Sequence, residues 1–156
     1  MYSNELICDI LLYIDNNLNS KISIDDLSHK FYFNRFYIMK LFKKEIGFTI
    51  SSYINKLRIH KSLEDIKNSN DYFMKIAINN GFYSLEYFSE TFNNVIGVSP
   101  SLFKKFCNYS SMIDDDTINI ITNNLIELRS LISFVNKYKN NKKPINNPTR
   151  ILSIFR

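Results

Sequence analysis

The sequence has no Trp and only 3 Gly and 3 Pro in 156 residues. So few turn formers exclude a collagen-like repeat, Gly-rich linkers and a turn-dense β-fold. Its 2 Cys, Cys8 and Cys107, are far apart, and its 2 His, His29 and His60, have no partner at ligand spacing. That argues against a disulfide scaffold and a Cys/His zinc site, so neither metal nor cofactor is expected. Both histidines read as surface or phosphate-side residues. No apolar run reaches the roughly 18 residues that span a bilayer, and no secretory leader is visible. A soluble, cytoplasmic setting with no membrane partner is expected. Gly-rich phosphate loops, nucleophile elbows and metal motifs are missing too, so an enzyme is not expected.

What is present is ordinary for a globular chain with a sound core: 45% hydrophobic and 22% charged residues. Ile (23), Asn (21) and Lys (15) are abundant, and their AT-rich codons suggest an AT-rich bacterial genome. The formal net charge of +5 is unevenly spread. Residues 30–61 carry Lys30, Arg35, Lys40, Lys43, Lys44, Lys56, Arg58 and Lys61 against Glu45 alone, a net +7. Residues 62–105 carry Lys67, Lys75, Lys104 and Lys105 against Glu64, Asp65, Asp71, Glu86 and Glu90, a net −1. A basic stretch beside a neutral one marks either a polyanion-facing surface or a solvated helix face.

Almost every segment has helical periodicity. Ile7, Ile10, Leu11, Ile14 and Leu18 recur at three- and four-residue steps. Ser23 precedes two acids as an N-cap, Asn34 caps a helix ending at Gly47, and Ser84 caps one ending at Gly97. A long helix starts at Thr49 or Ser51 and runs to about Asn68; a short one covers about 72–80 and stops at Gly81. Ser99-Pro100 opens another. Residues 34–53 and 84–103 also form a repeat at offset 50, matching Tyr37 with Tyr87, Phe42 with Phe92, Ile46-Gly47 with Ile96-Gly97, and Tyr53 with Phe103. Two helix-turn-helix units joined by a long helix are the natural arrangement.

The second helix of each unit divides into two faces. Ile38, Leu41, Phe42 and Ile46 form the core face of 34–46, leaving Phe36, Lys40 and Lys43 opposite, flanked by Met39 and Lys44. Lysine reaches guanine or phosphate, and phenylalanine contacts a thymine methyl, so this mix suits a DNA-reading helix. The plainer alternative packs Phe36 on a neighbouring helix. In 84–96, Phe88, Phe92 and Ile96 face inward, and Glu86, Glu90 and Asn93 take the outward places. Carboxylates there repel phosphate but can accept from a cytosine amino group. The amides at Ser51 and Ser52 open the long helix and suit either a phosphate or a simple cap.

These residues resemble the AraC/XylS family over about two-thirds of the chain, roughly 5–105. The second unit carries Ile76-Ala77, Gly81-Phe82, Ser84, Phe88, Phe92, Gly97, Ser99-Pro100 and Phe103. The first carries Leu27, Asn34, Ile38, Leu41-Phe42-Lys43-Lys44, Gly47, Tyr53-Ile54 and Arg58. The resemblance implies an all-α fold: a seven-helix domain of two helix-turn-helix units, about 23–46 and 73–96, joined by a long linker helix. It implies a sequence-specific transcription factor on double-stranded DNA, usually an activator touching RNA polymerase, and hence a nucleoid-associated bacterial setting. Family contacts carry over onto Phe36, Met39 and Lys40, and onto Leu85, Glu86, Tyr87 and Glu90. With Asn34, Arg35, Lys43, Lys44, Ser51 and Ser84 these make the expected DNA-binding set. Departures are Glu90 and Asn93-Asn94, where the family often has Arg and Lys, Tyr32 at a turn where Gly is common, and Lys104 for a frequent Arg.

Residues 106–156 form an extension. A helix at about 117–139 places Ile118, Ile121, Leu125, Leu128, Ile132 and Val135 in an a/d seam of about three heptads. The seam is expected either to form a homodimer or to pack on its own domain. Residues 140–150 read as loop, and Ile151–Phe155 as a strand or docking tail. Two readings compete with a specific regulator: an interaction protein that keeps the fold, binds DNA weakly and pairs through 117–139, and a nonspecific nucleoid binder. The first draws on Glu86 and Glu90 and is opposed by the basic stretch.

Overall fold

A helix leaves unpaired N–H groups at its start and carbonyls at its end, and these must find partners. In the computed structural model, which describes residues 2–140, side chains near most helix ends supply them. Helix α1 covers Tyr2–Asn16, α2 Ile24–Phe31, α3 Arg35–Ile46, α4 Ile50–Asn68 and α5 Phe73–Asn79. Helix α6 covers Leu85–Ile96, α7 Pro100–Tyr109 and α8 Asp115–Asn140, with a short 3₁₀ turn at Ser110–Met112. The described residues contain no strand. The all-α expectation therefore holds for them. The loop and tail expected beyond residue 140 lie outside the described residues.

Ser23 and Asp26 form a capping box: Ser23 Oγ accepts from the Asp26 N–H (3.1 Å), and Asp26 Oδ2 accepts from the Ser23 N–H (3.0 Å). The Ser23 hydroxyl also donates to Asp26 Oδ2 (2.6 Å), and this bond, with that from the Ser23 N–H, holds the Asp26 carboxyl below its ordinary range. At α4 the cap is Thr49, whose Oγ1 accepts from the Ser52 N–H (3.2 Å), which decides between Thr49 and Ser51. Helix α8 begins at Asp115, two residues before the start at about 117 that the sequence suggests. Asp114 caps it, accepting both the N–H and the hydroxyl of Thr117 at 2.8 Å. The C-terminus of α4 is closed by a residue far along the chain: Lys104 Nζ donates to the carbonyls of Ile66 and Ser69, both at 2.7 Å. Lys104, a departure from the family's usual residue, is thus a helix cap here.

The described residues group into two compact units. One holds residues up to Ile54 together with those from Leu131 onward; the other is Asn55–Ser130. In the first, Ile7, Ile10, Leu11 and Ile14 of α1, Leu27 of α2, and Ile38, Phe42 and Ile46 of α3 have no solvent exposure. Tyr53 lies 5.5 Å from Phe42, ring to ring. The last turns of α8 belong to this unit: Leu131, Val135 and Tyr138 are buried, the Tyr138 hydroxyl donates to Asn4 Oδ1 (3.0 Å), and Lys139 pairs with Asp15. In the second unit, Phe82, Phe88, Phe92 and Phe103 form an unbroken series of ring contacts 5.2 to 5.8 Å apart. Asn80, buried at the end of α5, donates to Asp65 Oδ2 on α4 (2.7 Å) and to the Ile76 carbonyl (2.9 Å).

The seam of α8 is partly spent within the chain. Ile121, Leu128 and Val135 are buried within the chain, and Ile118, Leu125 and Ile132 are half-buried. The apolar stripe offered for a homodimer is largely covered by the chain's own residues, the alternative that the periodicity left open. The helix is broad enough for this because Leu131 and Tyr138 add to the buried face.

Helices α3 and α6 both stop at a glycine in the left-handed region, Gly47 (φ 88°) and Gly97 (φ 90°), whose N–H donates to the carbonyl four residues back. At Gly97 space is also short. A Cβ there would lie 2.5 Å from Ile120 Cγ2 and 2.7 Å from Asn124 Nδ2 of α8. Asn124 Nδ2 already donates to the Ile96 carbonyl (2.9 Å), so it cannot move away freely. Gly97→Ala is expected to lower the unfolding free energy in urea by at least about 1–2 kcal/mol, the cost of a left-handed L-residue. Adding Ile120→Ala should restore part of the loss; no recovery would show that backbone strain alone is responsible.

Candidate nucleic-acid interface

An α-helix that holds itself by one face can offer the other to a partner. Helix α3 does so in the first unit. Asn34 Oδ1 accepts from the Phe36 N–H at 2.8 Å, fixing the start of the helix. Ile38, Leu41, Phe42 and Ile46 are buried on the inner face as expected. On the opposite face Phe36 is 67% exposed, so it does not pack on a neighbouring helix. Met39, Lys40, Lys43 and Lys44 are exposed with it. The Arg35 guanidinium lies 5.1 Å from the Phe36 ring centre and 3.5 Å from the Asp25 carboxylate. Lys44 sits 3.9 Å from Glu45. Lys40 and Lys43 have no hydrogen-bond or ion-pair partner among the described residues. Two ammonium groups therefore stand free beside an exposed aromatic ring and a thioether.

The turn before α3 is built with Tyr32 in the left-handed region (φ 58°), the one non-glycine there among the described residues. The Ser28 hydroxyl donates to the Phe33 carbonyl (2.7 Å) and holds this turn. Phe33 stacks on Tyr37 with ring centres 5.5 Å apart, and both are exposed. Tyr32 itself is 93% exposed. These three aromatics enlarge the apolar part of the surface and were not among the expected contacts. Their signal in the sequence was the run of aromatics at 31–37, which reads equally well as core.

In the second unit, Ser84 Oγ accepts from the Tyr87 N–H (3.1 Å) and caps α6. Phe88, Phe92 and Ile96 are buried, and Glu86, Glu90 and Asn93 are exposed, as the periodicity predicts. Neither Glu86 nor Glu90 has a hydrogen-bond or ion-pair partner among the described residues. Two expected contacts are tied down. The Tyr87 hydroxyl accepts from Asn55 Nδ2 on α4 (2.7 Å), and its ring lies 5.9 Å from Phe82. Leu85 is half-buried. Asn34 and Ser84 likewise spend their side chains on capping. Ser51 is exposed in the first turn of α4.

The basic stretch shrinks once its members are placed. Arg58 is buried, with its guanidinium 5.9 Å from the Phe82 ring, and burial lowers its pKa. Lys56 is half-buried, which lowers its pKa while the Glu127 charge opposes the shift. Lys30 rests over the Tyr13 ring at 5.1 Å. The free positive charge is concentrated on α3. His29 is exposed and His60 is half-buried.

Comparison with known proteins follows the same outline. A sequence profile described as a helix-turn-helix domain matches residues 27–105. The HTH-type transcriptional activator AarP of Providencia stuartii is 27% identical over 103 residues, 66% of this chain and 76% of its own length. The transposon Tn10 TetD protein of Escherichia coli is 30% identical over 104 residues, 67% of this chain and 75% of its own length. The crystal structure of an AraC-type transcriptional regulator from Chromobacterium violaceum superposes with a TM-score of 0.61 at 21% identity, covering 69% of this chain and 96% of that one. That likeness concerns the fold. The profile match over half of the chain and the TetD relative at 30% identity place this chain in the AraC/XylS family of transcriptional regulators.

Proposed function

We propose that the protein is a sequence-specific, double-stranded-DNA-binding regulator of transcription that inserts α3 and α6 into successive major grooves. One observation carries the reading. Phe36, Met39, Lys40 and Lys43 share an exposed face on the second helix of a helix-turn-helix unit, and both lysines lack partners among the described residues. A major groove about 12 Å wide admits such a helix. Free ammonium groups need not give up an internal partner to meet phosphate or guanine, and Phe36 and Met39 offer apolar contact to thymine methyls. Lys43, Lys44, Arg35 and the first turn of α4 at Ser51 suit the backbone, which positions without specifying. Glu86 and Glu90 are the base-reading candidates of α6, with Leu85 and Tyr87 lining its root and Asn34 and Ser84 setting the helix starts.

AarP is named a transcriptional activator, and we carry activation, with RNA polymerase as the protein partner, to this chain as part of the proposal. A cytoplasmic, nucleoid-associated location follows from it. The domain limits 5–105 and 106–156 belong to the proposal as well. A homodimer through 117–139 has weaker support, because α8 spends most of its seam within the chain and leaves Ile120 and Ile126 as its exposed large apolar residues. The second reading, an interaction protein that binds DNA weakly, is favoured by the unpaired carboxylates of Glu86 and Glu90.

Selection of bound fragments from a random duplex library at about 150 mM salt, where weak phosphate-only binding is suppressed, separates these readings. The expected product is an asymmetric site with two conserved segments about one helical turn apart. Enrichment of one short segment would confine reading to α3. No enrichment would favour the interaction protein, and uniform binding with a steep salt slope would mean a nonspecific binder. On the selected site, Lys40→Ala is expected to cost about 1–3 kcal/mol and to relax one base position. An equal loss on every sequence would assign Lys40 to phosphate. Glu90→Arg is expected to tighten binding at low salt by replacing a repelling charge with an attracting one. A loss would identify Glu90 as a base contact already in use.

A further inference from the structure

At the surface of the second unit, and separate from the outward faces of α3 and α6, helices α4, α7 and α8 line an open cavity of about 380 Å³. That volume lies within the range of small-ligand sites. Part of its wall is apolar: Leu63 of α4, Phe103 and Phe106 of α7, and Leu125 of α8. The two phenyl rings lie 6.0 Å apart at a tilt of 34°. The rest is polar and charged, with His60, Glu64 and Lys67 on α4 and Arg129 on α8.

The charges around this cavity are unbalanced. Glu64 already accepts a hydrogen bond from Asn68 Nδ2 (2.8 Å). Lys67 and Arg129 have no hydrogen-bond or ion-pair partner among the described residues. Burial, aided by the Arg129 charge and opposed by Glu64, keeps the His60 imidazole below its ordinary range and so neutral at pH 7. Counting Glu64, Lys67 and Arg129, the lining is left with one net positive charge beside an aromatic wall. The Arg129 guanidinium is a planar fork that matches a carboxylate.

We propose that this cavity is a binding site for a small organic carboxylate with an apolar body, its anion held by Lys67 and Arg129 and its body lying against Phe103 and Phe106. A free inorganic anion leaves the apolar wall unused, and an organic cation meets two ammonium-type charges against one engaged carboxylate. The site bears on α6 through α8. Asn124, the neighbour of Leu125, donates to the Ile96 carbonyl, and Ile120 closes on Gly97. A ligand that ties Arg129 to Lys67 holds α8 against the turn that ends the second recognition helix.

Calorimetric titration of the full chain with 2-naphthoate, 2-naphthamide and 2-naphthylmethylamine tests the site directly, with no DNA present. Naphthoate is expected to bind once per chain, with the amide at least about tenfold weaker and the amine weaker still. Arg129→Gln and Lys67→Gln should each reduce naphthoate affinity about tenfold. Both side chains are exposed and unpaired, so both variants keep the fold, which circular dichroism checks. Leu125→Trp, which fills the cavity, should abolish binding. The proposal is overturned if naphthoate gives no binding heat at millimolar concentration. It is also overturned if the amide and amine bind equally well, or if naphthoate binding is indifferent to both glutamine variants.

Discussion

A helix that reads DNA must be held entirely from behind, because nothing supports the face it offers. This constraint organises both halves of the protein. Helices α3 and α6 are each 12 residues long, about 18 Å. Each has a side-chain cap at its start, a glycine with positive φ at its end, and one fully buried apolar stripe between. Phe42 and Phe92, equivalent in the repeat, anchor the two stripes, and truncating such a ring costs about 3–5 kcal/mol. The outward residues are thereby relieved of any structural duty. That freedom is what allows one copy to carry lysines and a phenylalanine and the other to carry glutamates, on closely similar supports.

The two copies divide the electrostatic work unequally. On α3, Lys40 and Lys43 stand unpaired, and Arg35 is shared between Asp25 and the Phe36 ring. On α6 the places of Lys40 and Lys43 fall to Glu90 and Asn93, and Glu86 takes that of Phe36; neither carboxylate has a partner among the described residues. Exposed charges of this kind contribute little to folding, so their presence on α6 is not a requirement of the fold. Repulsion from phosphate weakens binding to DNA in general, whereas a well-fitted carboxylate gains from a cytosine amino group. In the proposed function, attraction is therefore assigned to the first unit and discrimination among sites to the second.

Much of this was legible in the sequence, and for definite reasons. Periodicity identifies the buried stripes of α3 and α6, and Asn34, Ser84, Ser99, Gly47 and Gly97 mark helix ends because caps act within three or four residues. What escaped depends on contacts between residues far apart in the chain. Nothing local shows that the Tyr87 hydroxyl is taken by Asn55, or that Lys104 closes the end of α4. The a/d spacing in 118–135 shows that α8 has an apolar seam but not what covers it. Local ambiguity has its own limit as well. Thr49 and Ser51 are equally good caps on paper, and the backbone decides for Thr49. His60 reads as a surface residue until α7 and α8 are seen to fold over it.

The placing of α8 has a consequence for the order in which the chain can fold. Leu131, Val135 and Tyr138 complete the core of the unit that begins with α1, and Tyr138 is bonded to Asn4, 134 positions earlier. In a chain leaving the ribosome α1 is made well before α8, so the core that holds Ile7, Ile10 and Leu11 is completed only when Leu131, Val135 and Tyr138 follow. The unit formed by 55–130 needs no such wait. Domains usually fold in the order of synthesis; here the later segment is free to close before the earlier one. The first unit is then the one whose core waits for a segment made more than a hundred residues after α1.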